Sequence, residues 1–188
     1  NNGMGLKRNN QDMPRNLNRG LKKIMLIGFP MNANRYIDDA FCFFYYKLRL
    51  EIQILRKLKE VGYYTIYKTH PDRATEIGDL IRNEANECIS KKFENVWKSA
   101  DALIFTYTTT TTFGFALTTS LPILVIDMKG TVWNLNIKRK LTKRLEFLGQ
   151  YDDNNYNKIS GKMLKNSLVK AKNKVTDEKL INFSNNYF

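Results

Sequence analysis

Residues Asp101–Asp127 read DALIFTYTTTTTFGFALTTSLPILVID, and this stretch decides the fold. Two short apolar runs within it, Ala102–Phe105 and Ile123–Ile126, have the length and the branched side chains of buried strands, with turn-forming residues on both sides. A hydroxyl-rich loop and one compact helical pattern separate the two runs. A strand, a helix and a second strand in this order form a βαβ unit, which closes a parallel sheet by a right-handed crossover. The stretch therefore predicts a parallel α/β sheet.

Strands and helices alternate along the chain on both sides of this unit. Short apolar runs predict further strands at residues 23–28, 63–68 and 86–90. Apolar residues at three- and four-residue spacing predict helices at 38–61, 74–84, 93–100, 132–148, 159–172 and 177–187, and residues 151–157 form a polar loop. This repeated alternation predicts an α/β fold with a Rossmann-like, doubly wound parallel sheet.

The length of 188 residues fits one domain with a substantial core. We expect a linker or disordered lead-in at residues 1–21, a Rossmann-like domain at 22–150, and C-terminal helices at 151–188. Asn1 is not a natural start, so we expect the chain to be a piece of a longer protein. The beginning is polar and shows no signal peptide, and no apolar run is long enough to span a bilayer. These features predict a cytoplasmic location.

The net charge of +13 favours contact with an anionic partner. Nucleic acid, an anionic membrane surface and a phosphorylated substrate all fit this charge, although the lysines can also simply solvate the surface. The predicted helix at 132–148 has an apolar stripe formed by Trp133, Ile137, Leu141, Leu145 and Leu148. Its other face carries the basic residues Lys138, Arg139, Lys140, Lys143 and Arg144. We predict that this basic face can dock the protein on an anionic membrane surface, with a nucleic-acid-binding module as the alternative.

Several enzyme classes are disfavoured by what the sequence lacks. It contains neither Gly-x-x-x-x-Gly-Lys-[Ser/Thr] nor Gly-x-Gly-x-x-Gly, which argues against a nucleotide kinase or a dinucleotide dehydrogenase. It has no Gly-x-Ser-x-Gly elbow, which argues against a serine hydrolase. The two cysteines, Cys42 and Cys88, and the single histidine do not form a zinc motif, so we expect reduced thiols, no metal and no cofactor.

Two features stand where predicted strands end, which is the edge at which parallel sheets bind ligands. The first is the run Thr108–Thr112, placed just before a predicted helix. The unpaired N–H groups and positive dipole of a helix N-terminus suit a phosphate, and threonine hydroxyls add further donors. The alternative is a helix cap followed by a polar loop. Spacing alone does not separate the two interpretations.

The second feature is Lys68-Thr69-His70-Pro71, which follows the strand at 63–68. Pro71 biases His70 towards an extended turn. A cation or an N–H donor fixed at a strand end could offset the charge of a phosphate leaving group. The alternative is a histidine that caps the helix predicted near residue 74. Gly28, at the end of the first strand, would allow either a sharp turn or the close approach of a ligand.

Together these motifs resemble the carboxyl-terminal half of GT-B glycosyltransferases. The resemblance rests on Lys-x-His-Pro at 68–71, ADALIFTY at 100–107, TTTF at 110–113, the Ala-Leu helix that follows and LPILVI at 121–126. More narrowly, the chain resembles bacterial surface-carbohydrate enzymes of the polysialyltransferase, Kdo-transferase and CDP-glycerol glycerophosphotransferase groups. The resemblance covers roughly residues 22–150, and the ending at 177–188 also looks like the closing helix of such proteins.

The resemblance implies a single GT-B half-domain that binds a nucleotide-activated sugar, linked to CMP, CDP or UDP, without a metal. It implies that His70 is catalytic and contacts the donor phosphate. The remaining implied phosphate ligands are Thr109, Thr110, Thr111 and Thr112, and the implied nucleotide-binding residues are Gly28, Phe29, Pro30, Lys68 and Pro71. The acid–base carboxylate would belong to an N-terminal acceptor domain that this chain lacks, and Asp127 and Glu94 are the only suggestions for a ribose ligand.

The expected activity is therefore transfer of a sugar during capsule or other surface-polysaccharide synthesis, by an enzyme that is cytoplasmic or peripheral at the inner membrane. A fragment without its N-terminal domain is expected to bind nucleotide weakly and to catalyse nothing alone. A glycerol- or ribitol-phosphate transferase is the alternative that keeps the same site. The C-terminal helices are expected to pack on the Rossmann-like domain or on the N-terminal domain.

Overall fold

The computed structural model contains one parallel sheet. It describes residues 20–29, 39–71, 79–129, 131–152 and 154–175. The strands are β1 (Lys23–Ile27), β2 (Tyr64–Lys68), β3 (Glu87–Ile89), β4 (Ala102–Phe105), β5 (Ile123–Met128) and β6 (Glu146–Tyr151). Their order is β3-β2-β1-β4-β5-β6, and every neighbouring pair is parallel. This confirms the predicted doubly wound α/β fold.

Helices lie between the strands and cover the sheet. They are α1 (Asp39–Glu60), α2 (Phe93–Val96), α3 (Thr111–Thr118), α4 (Leu135–Leu141) and α5 (Gly161–Asn173). Short 3-10 segments follow at Trp97–Ser99 and Tyr156–Lys158, and residues 79–82 are helical. The predicted linker at 1–21, apart from residues 20 and 21, and the predicted helix at 177–187 lie outside the described residues.

Alternating side chains of the central strands build two separate cores. Ile24, Ile104 and Leu124 belong to the core on the face covered by α1 and α5. Met25 and Leu103 point to the other face, where the core includes residues of α2 and α3. A strand that is covered on both faces has no polar side, which is why β1, β4 and β5 read as continuous apolar runs rather than as alternating ones.

The strand order reverses between β1 and β4. The chain after β1 crosses towards β2, whereas the chain after β4 crosses towards β5, so the loops that leave the two strands diverge. In open parallel sheets such a divergence leaves a crevice beyond the carboxyl ends of the strands. Gly28 directly follows β1 and Thr106 directly follows β4, so the threonine run starts at this crevice.

The prediction of one helix over residues 132–148 is wrong. The structure has the shorter helix α4, then the strand β6, which pairs in parallel with β5. Leu141, Leu145 and Leu148 have the spacing of an apolar helix face. The residues from Glu146 onward nevertheless form a strand, because they hydrogen-bond to β5, and the spacing of side chains along the chain does not reveal such a partner. Gly149 has a φ of 47°, a left-handed value that would interrupt an α-helix. It lies beside a register shift between β5 and β6. The predicted polar loop at 151–157 also begins later, because Tyr151 is the buried end of β6.

The C-terminal helix α5 packs against α1, β5 and β6. Ser160 caps it by accepting a hydrogen bond from the Met163 N–H at 3.2 Å. Leu164 and Leu168 are fully buried in the same core as β1. The described part of the C-terminal segment is therefore joined to the core of the sheet.

Candidate functional site

A cleft of about 510 Å³ opens at the carboxyl ends of β1 and β2. It is lined by Ile27, Gly28, Lys68, His70, Pro71, Ser90, Lys92, Phe93, Glu94 and Thr112. These residues come from the ends of three neighbouring strands and from the starts of α2 and α3. The volume is that of a small-ligand site, and the walls combine apolar side chains with a few polar ones, as ligand pockets do.

Lys68 places a cation in the wall of this cleft. Its side chain is largely buried, with 6% exposed, and its Nζ donates to the Thr69 carbonyl oxygen at 2.7 Å. Burial lowers the pKa of Lys68 below its ordinary value, and the negative charge of Glu94 opposes that change. Burial removes part of the hydration of this ammonium group, and an anion in the cleft would compensate for that loss.

His70 reaches the cleft because the chain stays extended after β2. The Thr69 N–H donates to the Ile89 carbonyl oxygen at 2.9 Å, which continues the pairing with β3 past the end of β2. His70 and Pro71 follow directly and both line the cleft, beside Ser90 at the end of β3. The structure therefore brings the Lys68–Pro71 motif to the first turn of α3.

The threonine run divides into separate roles. The Thr110 hydroxyl accepts a hydrogen bond from the Phe113 N–H at 3.1 Å and so caps α3. Thr112 lines the cleft. Thr109 and Thr111 are exposed and are not among the residues that line it. Of the four threonines predicted to bind phosphate, the structure places only Thr112 at the cleft.

A buried polar cluster lies on the other face of the same sheet edge, and it consists of Lys47, Glu51, Tyr67 and Thr106. The fully buried Glu51 accepts hydrogen bonds from the Tyr67 hydroxyl at 2.7 Å and from the Thr106 hydroxyl at 3.1 Å. It also accepts one from the Phe29 N–H at 3.1 Å. The Lys47 ammonium donates to the Thr106 carbonyl oxygen. These bonds hold the first residues beyond β1 and β4, which shape the crevice.

Gly28 is explained by this cluster. A Cβ atom on Gly28 would lie 2.4 Å from the Tyr67 hydroxyl oxygen and 3.2 Å from the Lys68 carbonyl oxygen. The residue is therefore glycine because the Tyr67 side chain crosses this position on its way to Glu51. Its place in the cleft wall is an additional property.

Phe29, which the resemblance implies to be nucleotide-binding, is not among the residues that line the cleft. Its side chain is fully buried and packs against Phe44, with the ring centroids 5.7 Å apart. The spacing could not reveal this, because the residue after a strand can turn to either face. Pro30, the next predicted nucleotide-binding residue, lies outside the described residues.

Asp127, near the carboxyl end of β5, contacts protein side chains and is not among the residues that line the cleft. Its carboxylate accepts from the Trp133 Nε1–H at 2.8 Å and lies 3.5 Å from the Lys138 Nζ. Burial raises the pKa of Asp127, and the contacts with Trp133 and Lys138 oppose that rise. Of the two carboxylates suggested for a ribose, the structure puts Glu94 at the cleft and turns Asp127 towards these two side chains.

Arg144 is not on the basic surface, which corrects that part of the sequence interpretation. It is 1% exposed, and its Nη2 donates to the carbonyl oxygens of Thr119 and Leu121 at 2.7 and 2.9 Å. Its Nε and Nη1 have no hydrogen-bond partner within the described part of the chain. Burial lowers the pKa of Arg144 to about 10, so it stays cationic at neutral pH. It stabilises the turn that follows α3.

The sequence interpretation missed several residues of the cleft wall. Ser90, Lys92 and Phe93 line the cleft beside Glu94, but they follow a strand of only three residues whose end has no distinct motif. Lys47 and Glu51 did carry a usable signal. Together with apolar neighbours they occupy the three- and four-residue steps 44, 47, 51, 54 and 58, so both charges fall on the buried face of α1.

Within the ranges that the structure describes, no three His, Cys, Asp or Glu side chains are grouped in a way that could hold a metal ion. Among the helices of the described ranges, none is both long enough and apolar enough to cross a bilayer.

Comparison with known proteins shows the fold. No protein-family model matches the chain, and no curated protein matches it. The glycosyltransferase SnogD from Streptomyces nogalater is similar in structure, with a TM-score of 0.52 at 15% identity, over 92% of this chain and 41% of that one. KpsC from Thermosulfurimonas dismutans, a beta Kdo 2,7 transferase, matches over 57% of this chain and 34% of that one, with 25% identity and a TM-score of 0.37. The chain thus spans less than half the length of both, and the likeness to SnogD is one of fold, a Rossmann-like α/β sheet.

Proposed function

We propose that this chain is the donor-binding domain of a glycosyltransferase and that the cleft holds the nucleoside diphosphate or nucleoside monophosphate of an activated sugar. The observation that carries the proposal is the convergence of Lys68, His70 and Thr112 on one cleft of small-ligand size at the carboxyl edge of the sheet. These residues belong to two motifs that are about 40 positions apart in the chain, and parallel-sheet folds bind their ligands at this edge.

The chemistry of the three side chains suits a phosphate. Lys68 supplies a positive charge in a partly desolvated wall, where it acts more strongly than it would in bulk water. His70 supplies a ring nitrogen and Thr112 a hydroxyl, and the first turn of α3 contributes the positive end of a helix dipole. A phosphate oxygen that meets these groups is stabilised without a metal ion.

The rest of the cleft fits the remainder of a nucleotide. Ile27 and Phe93 offer apolar surface for a base, and the Glu94 carboxylate can accept hydrogen bonds from ribose hydroxyls. The favoured donors are sugars linked to CMP, CDP or UDP. Their transfer into a capsule or another surface polysaccharide is the proposed biological role, and it rests on the motif resemblance.

In the proposed reaction the donor phosphate leaves as the glycosidic bond to the sugar breaks. Lys68, His70 and Thr112 would stabilise the negative charge that develops on the leaving phosphate oxygen. The carboxylate that deprotonates the acceptor hydroxyl would come from the N-terminal acceptor domain. The chain alone should therefore bind a nucleotide without catalysing transfer.

Nucleotide titration tests the site. CMP, CDP, UDP and GDP are added to the ¹⁵N-labelled chain, and amide and imidazole resonances are followed. We expect shifts at Lys68, His70 and Thr112, together with weaker binding in His70→Ala, which His70→Gln restores in part through its N–H donor. Thr109→Val is the matched control, because Thr109 is exposed away from the cleft. Shifts that bypass all three residues, or no binding of any nucleotide, would refute the assignment.

A glycerol- or ribitol-phosphate transferase would use the same phosphate contacts and differs only in the group transferred. The same titration separates the two possibilities when CDP-glycerol and a CMP-sugar are compared. Tighter binding of CDP-glycerol than of any nucleotide sugar would favour the phosphate transferase.

A further inference from the structure

An aliphatic–basic surface lies on α4, on the loop before it and on the turn after it, and it consists of Val132, Leu135, Ile137, Arg139, Lys140 and Lys143. The three aliphatic side chains are 94%, 77% and 53% exposed. The three basic side chains are exposed as well. The interval of four residues puts Leu135 and Arg139 on the same side of α4, so aliphatic and basic groups are neighbours.

The segment that presents this surface is held in place. Trp133 donates to Asp127 and packs edge-on against Phe147, with centroids 5.3 Å apart. The Asn134 side chain caps α4 by accepting from the N–H groups of Asn136 and Ile137 at 3.0 and 3.2 Å. Leu141 is buried and orients the helix. The exposed aliphatic side chains are therefore presented by an anchored element.

The charge of the segment has one sign. Residues 128–145 contain six basic residues and no acidic one. Arg144 is buried, Lys138 contacts Asp127, and the Lys129 Nζ lies 3.3 Å from the Asp152 carboxylate. Arg139, Lys140 and Lys143 are exposed beside the exposed aliphatic groups, which gives this surface its positive charge.

We propose that the aliphatic–basic surface docks the protein on an anionic lipid membrane. Exposed cations are attracted to anionic headgroups, and exposed aliphatic side chains gain from burial at the headgroup–acyl boundary. Nucleic acid would leave the three aliphatic groups without a partner, and the cores of protein interfaces are depleted in lysine. A membrane surface is the occupant that satisfies both kinds of side chain.

The position of the surface agrees with a role next to the cleft. The loop that carries Val132 leaves the carboxyl end of β5, and the cleft lies beyond the carboxyl ends of β1 and β2, so both belong to the same edge of the sheet. Docking through α4 would therefore hold that edge near the bilayer. The inference does not depend on what the cleft binds.

Vesicle sedimentation with the full 188-residue chain tests the proposal. The vesicles are phosphatidylcholine alone or phosphatidylcholine mixed with phosphatidylglycerol, at low and at physiological salt. We expect partitioning onto the mixed vesicles that weakens with salt, and little onto phosphatidylcholine alone. Replacing Val132, Leu135 and Ile137 together by serine should lower the partition coefficient at least about tenfold, because the lost burial is large. Folding of each variant is checked by its circular dichroism spectrum.

A charge-matched pair of variants tests where binding occurs. Arg139→Gln with Lys140→Gln and Lys143→Gln removes three charges from the surface. Lys162→Gln with Lys165→Gln and Lys170→Gln removes three exposed charges from α5. The first variant should lose about fivefold per charge and the second much less. Equal losses would mean that total charge drives adsorption, and the proposed surface would be wrong.

Other occupants give distinct outcomes. RNA that binds the chain tightly, with no effect of the serine substitutions, would replace the membrane with a nucleic-acid partner. A dimer that the serine substitutions dissociate, together with no binding to any vesicle, would replace it with a second copy of the chain. Either result overturns the proposal.

Discussion

Two adjacent residues at the end of β2 serve opposite clusters. Tyr67 points to the α1 face and joins the buried polar cluster through Glu51, whereas Lys68 points to the other face and lines the cleft. Both clusters contain a lysine and hydroxyl groups. In the buried cluster, Glu51 accepts hydrogen bonds from Phe29, Tyr67 and Thr106. In the cleft, the polar groups surround a volume large enough for a ligand.

This difference teaches how the fold separates stability from binding. A buried polar group that loses its partner lowers the free energy of unfolding. Substitutions in the buried cluster should therefore destabilise the protein. A polar group that borders an open cleft can still reach water, so its removal should affect mainly the ligand. The predictions below test this separation in order of decreasing effect.

Glu51→Ala should have the largest effect. It leaves the Tyr67 hydroxyl, the Thr106 hydroxyl and the Phe29 N–H without their acceptor, and we expect a loss of about 3 kcal/mol or more in the free energy of unfolding. Urea denaturation measures it. Glu60→Ala on the same helix is the control, because its exposed ion pair with Lys57 contributes about 1 kcal/mol at most. Equal losses in the two variants would contradict the buried cluster as described.

Gly28→Ala should cost about 1–3 kcal/mol, because the new Cβ would lie 2.4 Å from the Tyr67 hydroxyl oxygen. Tyr67→Phe removes that oxygen, the nearest atom, and leaves the ring carbon Cζ at 2.7 Å, so the two substitutions together should cost somewhat less than the sum of the single changes. Gly114→Ala is the matched control, since nothing lies within 4 Å of its Cβ position in α3. Strict additivity in this double-mutant cycle would rule out the proposed clash.

Lys68→Met should lower nucleotide affinity about tenfold, because it removes a charge-assisted contact with the phosphate. The fold should not lose stability, since a largely buried ammonium is replaced by an apolar chain of similar length. Calorimetric titration and urea denaturation measure the two quantities. Lys91→Met, at an exposed position that is not part of the cleft wall, should change neither. A destabilised Lys68→Met with unchanged affinity would assign Lys68 to the structure rather than to the site.

The pH dependence of binding should reflect the lowered pKa of Lys68. Burial disfavours the ammonium form in the folded protein, and this unfavourable contribution shrinks as the pH rises from the lowered pKa to the ordinary value of 10.5. Nucleotide affinity should therefore fall at a pH below the ordinary lysine value of 10.5, while the Lys68 contribution to stability becomes more favourable. Proton uptake on nucleotide binding, measured in buffers of different ionisation enthalpy, checks the sign. Lys68→Met should abolish that uptake.

The smallest predicted effect divides the threonine run itself. Thr110→Ala removes the cap of α3 and should cost about 1 kcal/mol of stability. Thr112→Ala should leave the free energy of unfolding nearly unchanged and weaken nucleotide binding. Thermal unfolding and the nucleotide titration, applied to both variants, distinguish the two roles. If Thr112→Ala lowered stability and Thr110→Ala weakened nucleotide binding instead, the roles assigned to the two threonines would be wrong.

Much of the fold was predictable because its signals are local. The apolar runs that became β1, β4 and β5 are fully covered strands, and the order of elements predicted a doubly wound sheet. The strand β6 was missed because the leucines before and within it have helical spacing, while its stability comes from pairing with β5. The surface assignment of Arg144 failed for a related reason, since the carbonyl groups it binds belong to the distant turn after α3.

The sequence by itself determined the α/β class, the edge at which a ligand would lie, and the motifs at Lys68–Pro71 and Thr108–Thr112. Only the tertiary structure decided which of those side chains meet. It placed Thr112 in the cleft and Thr110 in a cap, moved Phe29 into the core, and showed that Glu51 holds the two diverging loops. The physical reason is that apolar periodicity along the chain is local, whereas the partner of a polar group is chosen by whichever strand or helix packs beside it.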